Sequence, residues 1–334
     1  SRTSWCKYEY NTSISNISYF QCDEFAPLKI CALDIEAVSD KEEFPDANLA
    51  NDVVCQISLV QWTLGSPLDV PPDRHCVCFK YTAPITGANV ISCENEYDTL
   101  LALRDTILKL DPDIITTWNG AGFDLAYLDI RSKNDKGKNR KCPGFRYLSR
   151  LRFHECKLEK KKMASSARGD QYLEYYSMPG RAHFDAMQWY MSNYKVDNYG
   201  LNDVAFSHTG EKKKDFAYKL IKSYFNGTPE QRREMAEYCI QDSEILRALL
   251  DMLKAFGDQI ELSRVCYVLL ERLTTHGQGI KVVSQLNFKC INMKEWGYEH
   301  DFIMDNRNVR KKETFDDDNS DDEGYEGATV VEPI

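Results

Sequence analysis

Apolar positions in the first part of the chain fall in short runs, and three of them read as strands: Leu28–Ile35, Val53–Trp62 and His75–Tyr81. Their shortness favours strand over helix. The period then changes. In "ENEYDTLLALRDTILKL", Leu100, Leu101, Leu103, Ile107 and Leu108 recur at roughly helical spacing, and Pro112 ends the element. "DIITTW" (113–118) predicts a further strand, "NGAGFD" a glycine-containing turn and "LAYLDIRSK" a helix. Residues 156–178 are polar, contain Arg168-Gly169-Asp170, and predict a long hairpin. A short strand at Arg181–Phe184 leads into a helix in "AMQWYMSNY", with Asp185 at its N-cap.

The clearest helix lies in "GTPEQRREMAEYCIQDSEILRALLDMLKAF". Thr228 can cap it, Pro229 fits its first position and Gln231 completes a capping box. Met235, Tyr238, Cys239, Asp242, Leu246 and Leu249/Leu250 then share one broad face. Further helix is expected to about Leu286, and no internal repeat is present. Strands followed by strand–helix alternation predict an α/β or α+β domain, with a mixed central sheet flanked by helices and a helical C-terminal segment.

The chain has 334 residues, and its apolar and charged fractions are those of a globular protein. No run approaches the ~18 apolar residues of a membrane helix, and "SRTSWCKYEY" does not read as a signal peptide. The absence of a starting Met points to a piece of a longer protein. Twelve cysteines occur without a CxxC pair, which argues against a zinc site and for a reducing compartment.

A net charge of −10 ordinarily counts against nucleic acid, but its distribution changes that. Residues 311–334 hold nine acids and two lysines, which reads as an acidic flexible loop. The remainder is nearly neutral and carries local basic clusters. "RSKNDKGKNRK" (131–141) has six basic residues and "KLEKKK" (157–162) four. Each is either a solvated loop or a track for a phosphate backbone.

Three places put an acid where a packed core resists one. Asp34 and Glu36 stand two residues apart in the apolar run "KICALDIEAVSD", so they share one face of the strand. Asp124 follows a strand in "TWNGAGFDLAYL", at the end where α/β sheets place their sites. Asp242 lies one helical turn after Tyr238 in "YCIQD". Plainer readings stand beside these. Asp34 and Glu36 could line an exposed edge, Asp124 could cap a helix, Asp242 could be solvated, and Tyr238 could be a core aromatic with a wet tip. A shared reason for gathering four carboxylates is a pair of Mg²⁺ or Mn²⁺ ions, which take hard oxygen ligands and can activate water against a phosphodiester. A tyrosine hydroxyl at the edge of such a site could orient that water.

"ALDIEA", "DPDIITTWNGAGFDLAYL" and "YCIQDSEIL" resemble, in order and spacing, the three exonuclease motifs of family B DNA polymerases. "APLKICALDIE" is similar to the entry of that exonuclease domain, and "GRAHFDAMQWY" with "YGLNDVA" to the segment between its second and third motifs. "LTTHGQGIKVVSQL" and "YEGATVVEPI" look like the approach to the palm. Together these cover nearly the whole chain, nearest the delta-type and large-DNA-virus branch. The resemblance implies a ribonuclease-H-like 3′–5′ exonuclease fold, with Asp34, Glu36, Asp124 and Asp242 as ligands of two divalent ions. Tyr238 would position the nucleophilic water, and Asn119 and Phe123 would contact the frayed 3′ end. The polar hairpin would correspond to the family's strand-separating hairpin, and Asp185 reads as a cap or a support behind the ligands.

The same resemblance implies four segments. Residues 1–27 would end an N-terminal polymerase domain, and 28–255 would form the exonuclease. Residues 256–310 would lead toward the palm, and 311–334 would hold the acidic loop and the start of the palm approach. Implied partners are the single-stranded 3′ end of primer DNA and the palm, fingers and thumb, with a sliding clamp as a further candidate and no membrane. The expected location is the nucleus or a cytoplasmic site of viral replication. Ala37 stands where delta-type relatives carry cysteine, which favours a viral or divergent source. No "DFxSLYPS" or "DTD" motif is present, so this chain is not expected to polymerise. The competing readings are a catalytically weak DNA-binding scaffold and a free-standing nuclease.

Overall fold

The computed structural model describes residues 2–292 apart from 19, 21, 23, 25, 42, 135–140, 166–168, 211–215 and 217. The acidic segment 311–334 and "YEGATVVEPI" lie outside the described residues. Two compact units divide the chain, Ser1–Val282 and Val283–Ile334.

Four strands come first: β1 (Lys29–Ala37), β2 (Val54–Thr63), β3 (Asp73–Phe79) and β4 (Asn89–Cys93). Then follow α1 (Glu96–Leu110), β5 (Ile114–Thr117) and α2 (Asp124–Lys133). A hairpin of β6 (Lys157–Ser165) and β7 (Gly169–Ser177) precedes β8 (Ala182–Asp185) and α3 (Ala186–Asn193). The described helices continue as α4 (Leu201–Thr209), α5 (Tyr218–Asn226), α6 (Pro229–Met252), α7 (Ala255–Cys266), α8 (Leu270–Thr275) and α9 (Gln278–Asn292).

Six strands form one sheet in the order β4-β3-β2-β1-β5-β8. The β1–β2 and β2–β3 pairs are antiparallel, and β1–β5, β3–β4 and β5–β8 are parallel. The expected mixed sheet is therefore present, and β1 runs through its middle. Alternation along β1 feeds two cores. Cys31, Leu33, Ile35 and Ala37 pack with Leu100, Leu103 and Ile107 of α1 and Leu125 and Leu128 of α2. Ile30 and Ala32 face the other way, toward Ala236, Ile240, Leu246 and Leu249 of α6.

The strongest sequence signals match local structure. The Thr228–Gln231 capping box closes the start of α6, and Asp185 caps α3 through the N–H of Gln188. The 156–178 hairpin forms with Lys157 opposite Ser177. Three elements carried no such signal: β4, α4 and α5. Helix beyond α6 runs past Leu286 to Asn292.

Candidate active site

Asp34 and Glu36 lie on the face of β1 that α6 covers, while Ile35 between them enters the opposite core. Neither carboxylate sits on an exposed edge: β1 is flanked by β2 and β5, and Glu36 is only 8% exposed. The register with β2 slips between Glu36 and Ala37, a bulge that ends regular pairing beside the acids.

Polar side chains on β2 set where α6 rests. Gln56 Nε2 donates to the carbonyl of Arg232 at 2.6 Å, and Ser58 Oγ donates to that of Cys239 at 2.9 Å. With that donor used, the Ser243 hydroxyl 2.7 Å away donates to Ser58. This pinning brings Cys239 Sγ within 3.6 Å of Asp34 Oδ2. Ligand atoms of Asp34, Glu36 and Cys239 all lie within 4.8 Å of one another. Tyr238 and Asp242 flank Cys239 on α6, both half-buried, and the Tyr238 ring packs on Phe216 with centroids 5.3 Å apart.

The turn after β5 is built for close approach. Asn119 adopts a left-handed backbone (φ 67°). A Cβ on Gly120 would meet Thr117 Oγ1 at 2.1 Å, so only glycine fits there. Asp185 accepts the N–H groups of Asn119 (3.3 Å) and Ala121 (3.2 Å) in addition to that of Gln188, and so holds the turn to the start of α3. Asp124 is not the helix cap. Phe123 occupies that place, and Asp124 is the first helical residue, turned toward β1 with Oδ1 accepting from the Ile35 N–H at 3.3 Å.

Burial is the main cause holding Asp124 well above the ordinary carboxylate range, and the charge of Asp34 adds to it. Burial likewise raises the Cys239 thiol, helped by Asp34 and Glu36, so it stays protonated at neutral pH. The set is thus several crowded oxygens beside a neutral thiol. Such a set suits a hard divalent cation, which would offset the repulsion among the acids.

A cavity of about 170 Å³ opens beside Glu36, lined among others by Phe44, Phe123, Lys219, Ile221 and Lys222. Phe44 is 74% exposed, and its ring centroid is 5.1 Å from that of Phe123. Phe44, Lys219, Lys222 and Cys239 carried no functional signal of their own. The available hints were an aromatic in the polar stretch "SDKEEFPDAN" and a cysteine between Tyr238 and Asp242.

The basic cluster 131–141 needs correction at its first residue. Arg131 is not on a phosphate track but buried, its guanidinium paired with Glu96 at 2.6 Å. Residues 135–140 lie outside the described residues. In "KLEKKK", Lys160 pairs with Glu174 across the hairpin at 2.7 Å.

The chain is similar to known proteins over its whole length. The family described as DNA polymerase family B, exonuclease domain, matches residues 1–204. The DNA polymerase delta catalytic subunit of Schizosaccharomyces pombe is 32% identical over 337 residues, covering 100% of this chain and 29% of that protein. Those of Dictyostelium discoideum (33%, covering 99% and 28%) and Candida albicans (32%, covering 98% and 29%) are similar over the same extent. The chain thus spans less than a third of the length of these relatives.

Proposed function

This chain belongs to the family B DNA polymerases and carries their exonuclease domain, and from that premise we propose that it removes mismatched nucleotides from the 3′ end of primer DNA as the proofreading part of a replicative polymerase. The observation that carries the proposal is the convergence of Asp34, Glu36 and Asp124 at one end of the central strand, under the helix that bears Tyr238 and Asp242.

In this reading Asp34, Glu36, Asp124 and Asp242 would hold two divalent cations, Mg²⁺ or Mn²⁺. When bound, the cations lower the pKa of the attacking water and take up charge on the leaving oxygen. The Tyr238 hydroxyl, one turn from Asp242, orients the water. Asn119 and Phe123 receive the terminal nucleotide, with Phe44 offering a second ring for base stacking and Lys219 a charge for a phosphate. Asp185 fixes the backbone that carries Asn119 and Asp124. The exonuclease is assigned to residues 28–255, after the end of an N-terminal domain (1–27). A helical segment (256–310) and the acidic segment (311–334) then lead toward the palm.

Among the described residues no helix is long and apolar enough to cross a membrane. The proposed location is the nucleus, and the proposed partners are the 3′ end of primer DNA, the remaining polymerase domains and a sliding clamp. The test is Mg²⁺-dependent release of mononucleotides from a labelled single strand. Asp34→Ala/Glu36→Ala should reduce it to background; undiminished release would overturn the assignment.

A further inference from the structure

The loop between β1 and β2 spans 38–53 with no helix or strand among its described residues, yet it carries Phe44, the exposed ring beside Glu36 and Phe123. A loop of this length is ordinarily mobile. Here one face of α2 ties it down. Tyr127 and Arg131, one helical turn apart, and Asn134 at the C-cap all reach it. The Tyr127 hydroxyl donates to the Asp52 carbonyl at 2.8 Å, and Asn134 Nδ2 donates to that of Ala47 at 3.2 Å. Asp52 in turn accepts the N–H groups of Asp40 (3.3 Å) and Asp46 (2.9 Å).

Arg131 is the centre of this arrangement, with its guanidinium wholly buried. Its Nη1 donates to the carbonyls of Ala47 (3.1 Å) and Leu49 (2.5 Å), and its Nη2 to that of Ala50 (3.4 Å). Nε and Nη2 also grip both oxygens of Glu96, at 2.9 and 2.6 Å. Glu96 Oε1 further accepts the N–H of Val54, where β2 begins. All the donors of the planar fork are therefore directed at three loop carbonyls and one carboxylate, a geometry that a lysine ammonium cannot reproduce.

We infer that Arg131 is a positioning residue for the exonuclease site: by fixing the 38–53 loop it holds Phe44 against Phe123, and so sets how tightly the terminal base of a 3′ end is gripped. The inference rests on the function proposed above for the cavity beside Glu36. Arg131 touches no substrate itself. Its effect runs through Phe44, and two residues acting through one ring are not additive.

The test uses the full 334-residue chain and a single-stranded oligonucleotide ending in 2-aminopurine, bound in Ca²⁺ and then cleaved in Mg²⁺. Three variants are compared with the wild type: Arg131→Lys, Phe44→Ala and the pair together. Arg131→Lys keeps a cation opposite Glu96, and circular dichroism checks that it folds. Arg131→Lys should speed amide exchange at Asp40 and Asp46. It should also weaken binding about five- to tenfold, close to the loss in Phe44→Ala, while cleavage at saturating DNA changes less than twofold. The double variant should bind no worse than Phe44→Ala alone. Unchanged amide exchange in a folded Arg131→Lys, or losses that multiply in the double variant, overturn the inference. Failure of the functional reading looks different: a wild-type chain that does not cleave in Mg²⁺, whatever Arg131→Lys does to the loop amides.

Discussion

At the scale of the residue, Asp124 shows what the active-site arrangement costs the fold. A fully buried carboxylate beside Asp34 is held above its ordinary range, so the folded chain binds its proton more tightly than the unfolded chain does. The sign follows. Without a cation, this group makes stability fall as pH rises from the ordinary carboxylate range through the raised value, because the folded state must then release a proton it favours. Asp124→Asn removes the charge but keeps an oxygen for the Ile35 N–H. It should abolish nuclease activity while raising the melting temperature of the metal-free protein at neutral pH, by about 2–4 °C for each kcal/mol relieved. Calorimetry in a chelator checks this, and a lowered melting temperature would contradict it. Tyr238→Phe makes the opposite kind of change, leaving charge and packing on Phe216 in place. It should lower cleavage at saturating DNA about 100-fold, with divalent-ion affinity unchanged by isothermal titration.

At the scale of the element, legibility followed how local the cause was. The start of α6 is written in four adjacent residues, and the N–H of Gln231 does donate to Thr228 Oγ1 while Gln231 Oε1 receives the Thr228 N–H. Thr228→Ala should therefore cost about 1 kcal/mol, read as a lower urea midpoint with nuclease activity intact. The β1 acids were legible for a similar reason, since strand alternation alone puts Asp34 and Glu36 on one face. The α4 helix was not legible: Gly200 stands at its cap with no side-chain bond, and its hold on the fold comes from packing. Short, half-exposed β4 exists because β3 lies beside it. Arg131 goes inside for the same reason. Nothing within "RSKNDKGKNRK" announces Glu96, 35 positions earlier, or the loop carbonyls that bury the guanidinium. Local chemistry foretold the helices with caps and the alternating strand, whereas partners distant in sequence decided which charges went inside.

At the scale of the whole molecule, the proposed function has a chain that is nearly neutral outside its acidic 311–334 segment bring a polyanion to a cluster of carboxylates. Cations within the acid cluster would answer the repulsion at the reacting phosphate, and the adjacent wall supplies Lys219 and Lys222. Lys222 is already engaged, its ammonium donating to the Asp40 carbonyl at 2.7 Å, so its charge also serves to join α5 to the loop. Lys219 is exposed where Lys222 is half-buried, so it is the lysine of this wall that reaches furthest toward a DNA phosphate. Contacts confined to this described wall imply a shallow salt dependence, because each neutralised phosphate of a single strand contributes only about −0.7 to the slope of log K against log salt. A short oligonucleotide bound in Ca²⁺ should give a slope of roughly −0.7 to −1.4, one or two phosphates' worth. Lys219→Ala should flatten that slope by about 0.7 while leaving 2-aminopurine quenching at saturation unchanged, because the stacking rings are untouched. A steep slope that Lys219→Ala does not alter would place the main phosphate track elsewhere on the chain and remove Lys219 from the site.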